Sequence, residues 1–402
     1  MTIAENLVRA RVESGLGQED VANALGVSRA MVSYWEAGSR VPNDRQLAVL
    51  SRLLRWPNAV LADAEELTPA PDVAAMLLRG GGQELPGDAL PGLREFVEFL
   101  DAYAELADAA EFAIRGMRQS PFVSGAGFES GEDARRKAEE VRAHLRVGLG
   151  PIGDIDAVCE LLGVTVYRAP LGDDLVRTVS GAFYHHPAVG FSVLVNLDMT
   201  PGRRRFTVAH ELAHALFHSE FDTYIVSTAG KPPRERFADA FAGEFLMPTE
   251  GVRRVMEEHG FGPRIDDASE VIQLQRYFGV SYITALVRLR QARFISQASF
   301  DEFKLVRPVL LARSLGFEIG EEEYHPRPDL WRLERLPPRF RRLLRRAVGR
   351  GVLSVPSASA LTRLSIDEIT ELVSADVTGQ GPMEEERAEL EQYADSGILG
   401  VA

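Results

Sequence analysis

The chain has 402 residues, too many for a single hydrophobic core, so two or three domains are predicted. Its 45 basic and 59 acidic residues give a net charge of −14, and its one cysteine, Cys159, excludes a disulfide framework and an all-thiolate metal site. The N-terminus lacks the basic and apolar stretches of a leader, and no apolar run nears the roughly 20 residues of a membrane span. A soluble, cytoplasmic protein without membrane contact is the expectation. Taken whole, an acidic chain would be a poor nucleic-acid binder.

The predicted architecture is mainly α with one α+β domain. Residues 1–57 read as short helices with apolar residues at helical spacing (Leu7, Val21, Leu25, Val32, Trp35, Leu47, Leu50, Leu54), a helix-turn-helix domain of the five-helix type. Residues 58–135 form a connector, rich in Pro and Gly to residue 92 and then helical. Its stripe Phe96, Leu100, Tyr103, Ala107, Ala110, Ile114, Met117 steps by four and three, predicting one helix that carries it to Met117. Packing on its own chain is the preferred reading of that stripe, and a dimerisation arm is the other. Residues 136–300 alternate elements: helices near 132–147 and 155–162, strands at 164–167, 180–184 and 191–196, then a helix over 203–219. A small sheet with helices follows from that order. Residues 301–376 read as helical and 377–402 as an acidic tail.

Within the N-terminal region, Gln18–Glu36 carries the first specific signal. Val21, Ala22 and Leu25 make one apolar face, Gly26 can end a helix in the left-handed conformation, and Ser28 can cap the next. Two helices so joined form a helix-turn-helix whose second helix reads the major groove of double-stranded DNA. The segment resembles the phage-repressor-like XRE family over about 50 residues. That resemblance implies Gln18 and Ser28 at phosphates and Arg29, Ala30, Ser33 and Tyr34 at base edges of an operator, bound by a homodimer. Gly17 departs from the family, which usually has a capping Ser or Thr there.

The stronger signal is His210-Glu-Leu-Ala-His214. Composition alone would produce this spacing about once in a hundred such chains. Residues four apart share a helix face about 6 Å apart in rise, so both imidazoles can reach one Zn²⁺. Glu211, one step round the helix, suits a general base. The core-facing set Phe206, Ala209, Ala213 and Phe217 predicts an amphipathic helix. The best third ligand is Glu235, with Asp239 one turn later on the same face, a carboxylate placed to orient a ligating histidine. Competing groups are weaker. His218 lies about 12 Å along the helix from His210, too far to share a metal, and reads as a rim or ligand-orienting group. A glycine three residues after His214 and a histidine six after it would mark the metzincin pattern, but Phe217 and Glu220 stand there. His185-His186 reads as a surface turn or an oxyanion donor, Glu244 as a salt-bridge partner, and Cys159 as a small core residue.

Val195-Asn196, Arg203–Phe206, the His210–His214 motif and Glu235 with Asp239–Pro248 together resemble the ImmA/IrrE family of gluzincin-like zinc metallopeptidases, over roughly 136–250. The resemblance implies His210, His214 and Glu235 as ligands, Glu211 as the base, and Asp239 where the family often has Asn. It also implies cleavage of a repressor-type protein under stress or in mobile-element control; since a DNA-binding domain is predicted on this same chain, self-cleavage is a second expectation. A strand at 191–196 could take an extended substrate as an added strand. The rival reading is a ligand-sensing transcription factor whose peptidase-like pocket never cleaves.

Toward the C-terminus, residues 327–350 hold nine arginines against Asp329 and Glu334. Their helix would meet nucleic acid or, as preferred, the acidic helix at 92–111. Ser365 and Glu368 form a capping box. By region, residues 1–57 hold seven Arg against six acids, while residues 58–140 hold seven basic groups against seventeen acids. The acidity therefore lies outside the predicted DNA reader.

Overall fold

The computed structural model describes residues 3–14, 16–54, 90–122, 130–172, 179–218, 224–226, 233–320, 323, 335–362 and 364–374. Four N-terminal helices, α1 (Ile3–Glu13), α2 (Gln18–Leu25), α3 (Arg29–Glu36) and α4 (Asp44–Leu54), precede α5 (Leu90–Ala109). Next come α6 (Gly131–Leu145), α7 (Ile155–Leu161), β1 (Thr165–Ala169), β2 (Gly181–His186), β3 (Gly190–Asn196), α8 (Pro201–Phe217), β4 (Tyr224–Val226), α9 (Pro233–Leu246) and α10 (Thr249–Glu258). The chain continues through α11 (Ala268–Phe278), α12 (Tyr282–Gln291), α13 (Gln297–Phe303), α14 (Pro308–Ser314), α15 (Pro338–Gly349), α16 (Val355–Thr362) and α17 (Ile366–Ser374). Among the described residues the protein is thus mainly α with one small mixed sheet. A fifth N-terminal helix, the connector up to residue 89 and the acidic tail fall outside the described residues.

The sheet organises the centre. Its order is β1-β3-β2-β4, with β1 parallel to β3 and the other pairs antiparallel. Side chains on a strand alternate between faces, and here each face meets its own core. Val166, Phe183, Phe191, Val193 and Val195 pack with α6 to α13. Tyr167, Ala169, Ala182 and Leu194 pack with α5 and the C-terminal helices. Strand β3 is buried along its whole length between β1 and β2, so the expectation that it accepts a substrate strand is wrong: both its edges are paired. β4 is the edge neighbour of β2, and three residues carry too short a pattern to be read from sequence.

The stripe of α5 is buried in its own chain, against β1 and α15. The helix stops at Ala109, short of the predicted end at Met117. Glu111 adopts a left-handed φ of 50°, and Phe112 N–H returns to the Ala107 carbonyl, which closes the last turn. Beyond it, Met117 N–H donates to Gly163 O and Met117 O accepts from Phe191 N–H, so this segment is extended and tied to the sheet. Gly116 lies so close to Val189 that a Cβ there would come within 1.7 Å of its carbonyl oxygen.

Helix α15 buries Phe340, Leu343 and Leu344 and turns several arginines to partners on the same chain. Arg335 pairs with Glu95, Arg339 and Arg342 pair with Glu160, and Arg346 donates to the carbonyls of Ala110 and Glu111 just past α5. Those carbonyls are among the unsatisfied acceptors of a helix end, where a cation is favoured. The capping box is present: Ser365 N–H donates to Glu368 and Glu368 N–H to Ser365 Oγ. Helix α16 packs on α2 and α4, and the Ser357 hydroxyl donates to the Ala24 carbonyl.

Deep in the larger core, Glu244 accepts from Thr249 N–H at 2.7 Å and Thr249 Oγ1 at 2.9 Å and pairs with the Arg288 guanidinium. Arg288 Nε also donates to Met247 O at 3.0 Å. All three side chains are buried. Removing one partner of a buried pair leaves an uncompensated charge. Glu244→Ala should therefore lower the free energy of unfolding by about 3–5 kcal/mol in urea titrations; a loss below about 1 kcal/mol would show that Arg288 finds another partner.

Candidate metal centre and nucleic-acid interface

Helix α8 begins with Pro201 in its first turn, where the missing N–H costs nothing, and ends at His218, whose N–H returns to His214 O. From Thr207 to Phe217 every residue is buried, because the sheet lies on one side and α9 on the other. The amphipathic expectation fails here: this helix has no solvent face in its second half. Its polar side chains must find partners inside the protein.

His210 and His214 lie one turn apart, and each ring is held through Nδ1. His210 Nδ1 is 3.1 Å from Asp239 Oδ1, and His214 Nδ1 is 2.8 Å from His218 Nδ1. The two Nε2 atoms face each other at 3.2 Å. Glu235, in the first turn of α9, completes the triangle, with Oε2 3.2 Å from His210 Nε2 and Oε1 3.2 Å from His214 Nε2. Among the described residues this is the one group of three potential ligands close enough to share an ion. A tetrahedral ion bound at about 2.0–2.1 Å has ligands spaced roughly 3.3–3.4 Å apart. The Nε2–Nε2 spacing matches, one atom from each of the three residues lies within 4.8 Å of the others, and three such donors would leave one tetrahedral position for water.

Electrostatics follow from the same contacts. Burial disfavours the charged form of His210, but the Asp239 and Glu235 carboxylates outweigh it and push its pKa up to about 10. Burial also opposes ionisation of Glu235, yet its bonds to His210 and His214 drive its pKa well below the carboxylate range. His214 is shifted down by burial, and His218 falls to about 3 through burial and then the neighbouring His214 and Arg234. Glu235 is thereby favoured in the ionised form that metal ligation would require.

Glu211 is fully buried one step round the helix, beneath the first residue of β2. A Cβ on Gly181 would come within 2.7 Å of Thr207 Cγ2 and 3.0 Å of Glu211 Cγ. Sequence reasoning missed Gly181, since nothing local marks it; it matters because only a bare backbone lets β2 lie this close to α8. The other candidates are placed elsewhere. His186 is buried at the end of β2, its Nδ1 accepting from Ala188 and Val189 N–H and its Nε2 donating to Asp101, so the surface-turn reading fails for it. His185 packs edge-on against Phe191. Glu244 makes the ion pair described above, and buried Cys159 has its thiol pKa raised, chiefly by burial.

The N-terminal helices pack around Leu7, Val21, Val32, Trp35 and Leu50. Gly26 takes φ 65°, the left-handed residue that ends α2 and redirects the chain into α3. Ser28 caps α3, its hydroxyl accepting from Met31 N–H. Gly17, which offers no capping side chain, is compensated by Asp20, whose carboxylate accepts from Gly17 N–H at 2.7 Å. Val32 and Trp35 face inward, while Ser28, Arg29, Ala30, Ser33 and Tyr34 are exposed together. Gln18 differs: it is half-buried, and its amide donates to Glu36, which also binds Arg11 at 2.6 Å.

Comparison with known families agrees with this architecture. Residues 3–64 match a helix-turn-helix domain, and residues 159–290 match the IrrE N-terminal-like domain of the peptidase M78 family. The chain thus joins a region similar to XRE-like helix-turn-helix domains to a region similar to IrrE/ImmA-like peptidase-type domains. No curated protein matches it.

The close approach of β2 to α8 makes Gly181→Ala an overpacking change. It should cost about 1–3 kcal/mol in denaturant unfolding, and unchanged stability would mean that strand and helix separate without penalty.

Proposed function

We propose that this chain is a sequence-specific DNA-binding transcriptional regulator carrying a zinc-dependent endopeptidase that cleaves a repressor-type protein or its own chain. One observation carries the reading: three ligand atoms converge beside a fully buried Glu211 on the same helix. The open corner is what separates a catalytic zinc site from a closed structural one.

In this reading His210, His214 and Glu235 hold the metal and Asp239 keeps His210 in its ligating orientation. Zinc bound there supplies Lewis acidity toward a water and the scissile carbonyl. Glu211 takes a proton from the attacking water and delivers it to the nitrogen of the departing amine, which makes it base and then acid. Its burial excludes solvent from that transfer.

At the other end, Arg29, Ala30, Ser33 and Tyr34 read base edges from the exposed face of α3, and Ser28 meets a phosphate. Arg29 can fork onto a guanine, and Ala30 can meet a thymine methyl. Gln18 also lies at the phosphate side, its reach set by Glu36. The operator would be read by a homodimer, in the cytoplasm, with cleavage as the response to stress.

Glu211→Gln tests the chemistry. Purified wild-type chain should bind one zinc and yield fragments of itself or of added helix-turn-helix repressors; the variant should keep its zinc and yield none. Zinc uptake by both with no Glu211-dependent fragments would overturn the peptidase reading. On the DNA side, Arg29→Ala should cost about 1–3 kcal/mol of discrimination at one base pair in binding-site selection. Unaltered selectivity there would remove Arg29 from the groove.

A further inference from the structure

We propose that His218 is the positioning residue for His214: it accepts the Nδ1 proton of that ring and so turns Nε2 toward the metal. The inference rests on the zinc reading of the centre and is independent of proteolysis. Its basis is a contact between two buried imidazoles, His214 at 0 % and His218 at 3 % exposure, with their Nδ1 atoms 2.8 Å apart.

Two ring nitrogens at that distance hold one proton between them, since a neutral imidazole has one donor and one acceptor. His214 Nε2 faces His210 Nε2 and Glu235 Oε1, each at 3.2 Å, so Nε2 is the ligating atom and keeps its lone pair. The His214 proton then sits on Nδ1 and is donated to His218, whose own proton is on Nε2. That Nε2 is buried and has no hydrogen-bond partner among the described residues. The single polar task of the His218 ring within them is therefore toward His214.

Packing alone does not call for histidine here. The ring stands edge-on to Phe237, with centroids 5.4 Å apart, an aromatic setting that a phenylalanine would also fill. Among the described residues the one polar contact of this ring is with His214, which phenylalanine could not make. His218 sits four residues after His214, with its backbone N–H bonded to His214 O at 3.0 Å, and the two rings are tilted by 47° with centroids 4.9 Å apart.

The two ligating histidines are thus braced differently. A carboxylate orients His210 and a neutral ring orients His214. Glu211, Glu235 and Asp239 already bring three carboxylates to the centre. A neutral acceptor at 218 fixes orientation without adding a fourth negative charge, which would blunt the electrophilicity of a bound cation.

The test is zinc binding by the full chain, with zinc ion itself as probe in competition with a chromogenic chelator. His218→Phe should weaken zinc binding about 10–100-fold, and His218→Gln, which restores an acceptor oxygen, should recover most of it. Nitrogen-15 spectra of zinc-loaded wild type should show His214 protonated at Nδ1, with a through-bond coupling to His218 Nδ1; this readout needs no variant to fold. Equal affinity in His218→Phe, or His214 ligating through Nδ1, overturns the inference. A wild-type chain that takes up no zinc overturns the metal reading and this inference with it.

Discussion

Everything at the centre depends on α8 being closed in on all sides. A helix with His210, Glu211, His214 and His218 all below 8 % exposure cannot leave their nitrogens and oxygens to water. Asp239 and Glu235 on α9, with His218 at the end of α8, supply the partners from inside. Because these partners ride on packed helices, the donor atoms are held by backbone rather than by side-chain choice. The sheet makes that possible. Its two faces serve two cores, so neither face is free to move toward water, and β2 is held firmly against α8 at Gly181.

Much of this was legible in sequence, for a physical reason. Period-3.6 and period-2 patterns give α8 and the strands β1, β2 and β3 to within about two residues, and the His210–His214 spacing reports a shared face directly. Glu235 and Asp239 were readable as neighbours of the histidine pair because two carboxylates one turn apart on a helix make a local pattern. What escaped was non-local. The end of α5 is set by the ties of Met117 to Gly163 and Phe191, which no stripe of apolar residues encodes. β4 is too short to show a period, and Gly181 acquires its meaning only when β2 meets α8. The same limit applies to His186, whose hydrogen-bond partner Asp101 lies on a helix 85 residues earlier.

Charge tells a related story. Read along the chain, −14 and an arginine-rich stretch suggest an acidic body with a basic patch for a polyanion. In space, Arg335, Arg339, Arg342 and Arg346 are engaged by Glu95, Glu160 and the carbonyls that follow α5. The exposed face of α3 is a nucleic-acid candidate on a domain whose own charge is close to neutral. Binding there would rest more on fit to base edges than on bulk attraction to phosphate.

Helix α16 gives the N-terminal domain a second attachment to the rest of the chain, one that spans 333 positions of sequence between Ala24 and Ser357. The covalent route passes through residues 55–89, and the other route is noncovalent. A single cut in that stretch would therefore not separate the two parts. It would replace a tether by a dissociation equilibrium, lowering the effective concentration of the contact from that of a linked pair to that of free protein. A nicked molecule could keep its DNA-reading helices in place while concentrated and lose them on dilution, so cleavage and release would be two separable events.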